Sequence, residues 1–280
     1  MSIVSGDAPL PSFPFPPLDL LQRVGAIGSS DPEREYDEMG KGIRGLIYGM
    51  LPATWSWCGA RVLDYGCGAG RVLRHFAGEA EDAEFWGCDI DVPSIEWMQR
   101  NLNPPFRAVA CREEPGLPFA DDFFSLIYAI SVFTHLTDHA TGWLLEMHRM
   151  LADDGLLMLT FLGEGMINLI NEPWDEDRIG FNPTHHGIPW DQGGPTTFIS
   201  PWWIREHWGR AFEIVEVRPY TLLDQGKPAG HGLALLRKRH GHFSAADIDE
   251  PAPNEPREIR ALQHNVRQLI NELMQLRQQR

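Results

Sequence analysis

Arg61-Val62-Leu63-Asp64-Tyr65-Gly66-Cys67-Gly68-Ala69-Gly70-Arg71 is the stretch on which the fold turns. An apolar run ends in an acid, glycines then stand at every second position, and Val72, Leu73 and Phe76 follow at helical spacing. The pattern predicts a buried parallel strand, a tight turn and a helix start, the opening unit of a doubly wound α/β sheet. Ligands of such sheets sit at the carboxyl ends of the strands. Glycine there removes the Cβ that would hold a ligand away from the backbone.

The glycine spacing discriminates among nucleotide-type ligands. A dinucleotide fingerprint requires a small residue three places after its second glycine. Counted from Gly68, that place is Arg71; the third glycine is Gly70 instead, and Asp64 precedes the loop. D-x-G-x-G-x-G resembles the first motif of the class I S-adenosylmethionine-dependent methyltransferases. The resemblance implies a loop wrapped around the methionine half of that cofactor. Asp64 would orient its amino group, and Gly66, Cys67, Gly68 and Gly70 would line its amino-acid end.

A second strand, Glu84-Phe85-Trp86-Gly87-Cys88-Asp89, ends in an acid. It lies roughly 20 residues beyond the loop, where such sheets carry a ribose-binding carboxylate. An ionised carboxylate accepts from both vicinal hydroxyls, so Asp89 is the expected ribose ligand. Asp91 reads instead as the cap of a helix with Ile95, Met98 and Leu102 on its apolar face.

The resemblance covers residues 61–162 well and residues 200–238 loosely. Gly116–Ile127 is similar to the family's approach to its fourth strand, with Ser125 where a second aspartate is common. Ile130–Leu136, Ser200-Pro201-Trp202-Trp203 and His231-Gly232 look like a subgroup found beside bacterial glycan and glycosyltransferase genes. The family likeness further implies Ile90 flanking the adenine, Arg112 with Cys111 and Glu113 at its edge, and Ser131 and Phe133 beneath the sulfonium.

Length and composition bound the rest. A chain of 280 residues accommodates one large domain with appendages. No apolar run is long enough to span a bilayer, and no basic segment followed by an apolar core opens the chain. Cys58, Cys67, Cys88 and Cys111 lack C-x-x-C spacing, which reads as buried thiols in a reducing cytoplasm rather than a disulfide framework or a zinc site. A net charge of −15 disfavours nucleic acid as a partner. The basic clusters, Arg237–His240 and the C-terminal arginines, read as a solvated strand end and a solvated helix face.

Along the chain, residues 1–50 read as a loosely held, Pro/Gly-rich extended segment and a capping helix over Asp31–Leu51. Residues 51–240 form the α/β domain. Its later strands are expected at Phe106–Cys111, Phe124–Ile130, Leu156–Phe161, Phe212–Val217 and Leu233–Leu236. A helix from about Asp138 carries Ala140, Leu144, Met147 and Leu151 on one face, and Ser200-Pro201 opens another. The family likeness makes this a Rossmann-like, seven-stranded, mostly parallel sheet with its last strand antiparallel. Residues 163–200 lack periodicity and read as a lid or substrate insertion. Residues 241–255 form an acidic linker. In 256–280, Ile259, Leu262, Val266, Leu269, Leu273 and Leu276 step alternately by three and four. That two-position heptad seam suits a homodimer or a partner helix.

Methyl transfer from a sulfonium is an in-line displacement in which the protein mainly positions and desolvates. No metal is required, and a hydroxyl acceptor gains from a general base. His135, a few residues past the fourth strand, is the first candidate, and the loop pair His185-His186 the second. Metal binding by the pair lacks a third ligand at helpful spacing. Trp174, Trp190, Trp202 and Trp203 are either a wall for the acceptor or core residues. The expectation is an S-adenosylmethionine-dependent methyltransferase of the cytoplasm acting on a small-molecule or glycan hydroxyl. A nicotinamide-dependent oxidoreductase and a non-catalytic assembly module remain as alternatives.

Overall fold

A computed structural model describes residues 13–24, 28–169, 173–185, 188–190 and 193–278. The chain divides into two compact units, Met1–Ala110 and Cys111–Arg280. The division falls inside the expected 51–240 domain, directly after its third strand.

In the first unit, α1 (Leu18–Gln22) and α2 (Pro32–Met50) precede β1 (Arg61–Tyr65), β2 (Glu84–Asp89), α3 (Val92–Asn101) and β3 (Arg107–Ala110). α2 starts where its signals place it: Pro32 opens the first turn and the Asp31 carboxylate accepts from the Arg34 N–H at 3.3 Å. The N-terminal segment is more ordered than its proline content suggests. Leu20 and Leu21 are buried, and the Phe13 ring packs on Phe106 at 5.5 Å. Apolar side chains, absent from the turn residues that dominate its composition, hold residues 13–24 down; residues 1–12 and 25–27 lie outside the described residues. The helix expected after the glycine loop is replaced by two 3₁₀ turns, Leu73–Phe76 and Glu79–Glu81. The chain must return to β2 within residues 71–83, too short a span for several full turns and a reversal. Leu73 and Phe76 are nevertheless fully buried, as their spacing requires.

The second unit runs through β4 (Phe124–Ala129), α4 (Ala140–Met150), β5 (Leu151–Phe161), β6 (Phe181–Thr184), β7 (Thr196–Ile199), α5 (Pro201–Glu206), β8 (Phe212–Arg218), β9 (Leu222–Asp224), β10 (Lys227–Ala229), β11 (Gly232–Lys238), α6 (Ala245–Asp249) and α7 (Arg257–Gln278). Leu151, expected on the helix, turns extended and pairs with Phe124 instead. Residues 163–200 are not wholly irregular: β6 and β7 form an antiparallel hairpin, Phe181 opposite Ile199. The hairpin hides because Pro183 interrupts the strand pattern and the buried positions include Asn182 and Thr197. The expected linker contains α6. A capping box, Ser244 with Asp247, starts it, and Ile248 is fully buried.

The sheet has seven strands in the order β3-β2-β1-β4-β5-β11-β8. β1 with β2, β2 with β3 and β4 with β5 are parallel, while β11 is antiparallel to both β5 and β8. This is the expected mostly parallel sheet with its final strand reversed. Short hydrophobic strands joined by helical crossovers dictate the parallel part.

Candidate cofactor site

The glycine loop leaves β1 through three left-handed residues, with φ of +82° at Gly66, +52° at Gly68 and +78° at Gly70. At Gly70 a Cβ would also stand 2.5 Å from the Leu102 side chain, so the turn and its packing on α3 both demand glycine there. The Gly66 and Cys67 N–H groups donate to the Cys88 carbonyl at 2.8 and 3.0 Å, and the Gly70 N–H donates to the Cys67 carbonyl at 2.9 Å. The Cys67 side chain turns inward, against Gly87 and 3.8 Å from the Met98 sulfur, so only its backbone borders the loop's open side. Asp64, at the end of β1, is buried.

Asp89 ends β2 beside this loop. Its Oδ2 accepts from the Gly68 N–H at 2.7 Å and its Oδ1 from the Asp91 N–H at 2.8 Å. Each oxygen keeps a further lone pair for a hydroxyl donor. Burial pushes the Asp89 carboxyl above its ordinary pKa, and the backbone donors oppose that shift. Half-buried Ile90 follows it. Asp91 stands at the N-cap position of α3, yet its carboxylate makes no cap bond; it accepts from the Ser94 hydroxyl and pairs with Arg23. An ion pair competes for the oxygens that a backbone cap would use.

Two residues beside the loop carried no motif signal. Arg71 donates to the Val24 carbonyl, and Val24 lies over Gly68. Burial lowers the Arg71 pKa, while Tyr36 and Asp64 act to raise it. Tyr36, on α2, is 1% exposed, and its hydroxyl makes no hydrogen bond. Burial raises its pKa, and the charges of Arg74, Arg71 and Asp64 all act on it. Helical spacing alone marks Tyr36 as a core residue; its position beside the loop is a tertiary fact.

These features test two cofactors. The N–H groups of Gly66, Cys67, Gly68 and Gly70 are all used inside the chain, so none of these four is left to cradle a pyrophosphate. An amino-acid carboxylate fits better, beside the half-buried Arg71 guanidinium and the Tyr36 hydroxyl, which has no hydrogen-bond partner. A cleft of about 520 Å³ elsewhere in this unit is lined by Phe15, Leu18, Leu21, Asp31, Glu33 and Trp97, and holds none of the loop residues.

In the second unit, Arg112 is exposed in the coil after β3. Ser131 follows β4 with φ +59°; its N–H donates to the Thr160 hydroxyl at 2.7 Å, and its hydroxyl lies 3.3 Å from His231 Nδ1. Phe133 is fully buried, edge-on to Trp208 at 5.3 Å, so its side chain serves the core rather than a sulfonium. A large ring gains more by complete burial than by lining a polar site. His135 is exposed, and its Nδ1 lies 2.8 Å from the Pro195 carbonyl. A carbonyl only accepts, so the proton sits on Nδ1 and Nε2 is the basic nitrogen. His185 Nδ1 contacts the Thr196 hydroxyl at 3.0 Å, and its backbone N–H donates to Glu272; His186 lies outside the described residues. Trp202 and Trp203 are buried, and Trp174 packs on Leu162, Ile179 and Phe198. Trp190 alone of the four is exposed. Indole area drew the others into the core. Among the described residues no group of three His, Cys, Asp or Glu side chains could hold a metal.

The family described as "Methyltransferase domain" matches residues 62–155, from β1 into β5. That match covers about a third of the chain. A malonyl-[acyl-carrier protein] O-methyltransferase of Geobacter sulfurreducens is 33% identical over 46% of this chain and 46% of its own length. An O-methyltransferase of Aspergillus nomiae is 31% identical over 49% of this chain and 63% of its own. The chain thus spans about half to two thirds of the length of the curated relatives it matches. An S-adenosylmethionine-dependent methyltransferase structure from Mesorhizobium loti superposes with TM-score 0.54 at 16% identity, over 76% of this chain and all of that one. No helix among the described residues is long and apolar enough to cross a membrane.

Proposed function

We propose that this chain transfers a methyl group from S-adenosylmethionine to an oxygen of a small-molecule or glycan acceptor. The observation that carries the reading is the loop itself, with the N–H groups of its three glycines and Cys67 consumed internally and the Asp89 carboxylate seated on it. The cofactor supplies a methyl group on a sulfonium, an electrophile with a good leaving group already in place. This chain's residues have the tasks of binding, orienting and proton removal. The loop backbone borders the amino-acid end, with Arg71 and the Tyr36 hydroxyl opposite its carboxylate. Asp89 accepts from the ribose hydroxyls, Ile90 covers the adenine, and Arg112 meets its edge. Ser131 is held by Thr160 and borders the methyl donor. His135 removes the acceptor proton through Nε2, its tautomer held by Pro195.

That curated relatives are O-methyltransferases supports oxygen as the nucleophile. Acidic net charge supports a small or uncharged acceptor over nucleic acid. The cytoplasm suits a chain whose four cysteines are free, and α7 offers a helix partner a surface.

Calorimetry with S-adenosylhomocysteine and with NAD tests the cofactor. Binding to the former alone is expected. Asp89→Ala should weaken it by about 1.5–3 kcal/mol, the cost of losing a charged hydrogen-bond acceptor. His135→Gln should keep that affinity and lower labelled methyl transfer about 10²–10⁴-fold, as for a missing general base. NAD binding, or unchanged affinity in Asp89→Ala, would sink the assignment.

A further inference from the structure

α7 is a 22-residue helix, about 33 Å long at 1.5 Å per residue, with two different long faces. One is docked on its own unit. Glu258 meets buried His207 at 3.1 Å, Asn265 donates to the Phe181 carbonyl at 2.7 Å, and Ala261 and His264 are buried. The other carries Ile259, Leu262, Val266, Leu269 and Leu273, each 42–66% exposed, with Ile270 and Met274 beside them. An apolar stripe of this length on a monomer is costly to leave in water.

We propose that this stripe pairs with the same helix of a second copy as a parallel two-stranded coiled coil. The heptad frame places Ile259, Val266 and Leu273 at a, and Leu262, Leu269 and Leu276 at d. The Leu276 side chain lies outside the described residues. β-Branched residues at a with leucine at d favour two parallel strands over higher orders. The flanks agree. In a parallel pair each g position faces the e position five residues on in the partner, which sets Glu272 of one copy, whose Oε1 also accepts from its own His185 N–H at 3.1 Å, against Arg277 of the other. An antiparallel pair sets g against g and e against e, and loses that attraction.

Two of the four arginines of α7 argue for a second copy rather than an anionic membrane. Arg257 is paired with Glu255 at 2.6 Å and lies over the Trp202 ring, and Arg260 pairs with Asp177 at 3.1 Å. Their charges are spent on the home unit, so a lipid surface finds few of them. This inference goes beyond the cofactor reading and is independent of it.

Sedimentation equilibrium of the full chain across the micromolar range tests it. A mass twice the 31.7 kDa of one chain is expected. Leu269→Glu should give the single-chain mass while near-ultraviolet dichroism and S-adenosylhomocysteine affinity are unchanged. Arg277→Glu should weaken dimerisation about tenfold, and the exchange Glu272→Arg with Arg277→Glu should restore it. A monomeric parent chain, a dimer indifferent to Leu269→Glu, or failure of the exchange to rescue overturns the proposal. So does flotation of a monomer with phosphatidylserine-containing vesicles. Loss of dimerisation with cofactor binding intact leaves the methyltransferase reading standing.

Discussion

His75 sits against α2 with its side chain 11% exposed and its Nε2 3.6 Å from Asp37. Burial pulls its pKa from 6.5 down to about 4, outweighing the upward pull of Asp37. The folded chain therefore holds this imidazole neutral where the unfolded chain would protonate it. Stability is complete above about pH 6.5 and is lost as pH falls toward 4. Between pH 7 and pH 5 the loss from this group should reach about 2 kcal/mol. Urea midpoints at the two pH values should show it in the parent and not in His75→Gln; equal pH dependence in both would contradict the assignment. At this scale Asp64, Asp89 and the three loop glycines were legible because their chemistry follows from chain position at strand ends. Tyr36 and His75 were not, because only neighbours distant in sequence make them unusual.

Glycine has opposite meanings along α2. A Cβ on Gly40 would stand 2.3 Å from the Arg71 carbonyl and 2.7 Å from the His75 ring, whereas one on Gly45 meets nothing within 4 Å. Gly40→Ala should push α2 off the turn that follows the cofactor loop and cost about 1–3 kcal/mol, as overpacking does. Gly45→Ala should stabilise by about 0.5–1 kcal/mol through helix propensity. Thermal melts of the two variants check this; equal shifts would mean that α2 does not pack as described. Helix α2, the strands of the sheet and α7 were readable from period and caps. The β6/β7 hairpin was not, since its proline and buried polar residues erase the alternation that marks a strand. The loss of the helix after Gly70 likewise follows from a connection length that local apolar spacing does not register.

His207 and Glu258 tie α5 to the first turn of α7. His207 Nδ1 lies 2.7 Å from the Ile248 carbonyl, the Glu258 carboxylate is 3.1 Å from Nε2, and the Trp203 ring stacks on the imidazole at 4.3 Å. One buried cluster thus fixes how α6 and α7 lie on the second unit. Glu258→Ala would leave a buried ring nitrogen without its partner, a loss of about 1–3 kcal/mol. Faster amide exchange over residues 257–264, with β4 and β5 unchanged, is the expected signature. Unchanged exchange there would mean that the apolar contacts of Ala261 suffice to hold the helix.

The strand ending in Asp64, the alternating glycines and the strand ending in Asp89 carried the sheet type and the cofactor class, because strand, turn and acid lie within one short stretch and need no distant partner. The heptad seam was equally visible, being a matter of period. Which aromatic residues would be core, which loop N–H groups would be spent, and which face of α7 would be left to solvent depended on folding. Each is settled by competition among groups far apart in the chain: Phe133 went to Trp208, the Gly68 N–H to Asp89, and Glu258 to His207.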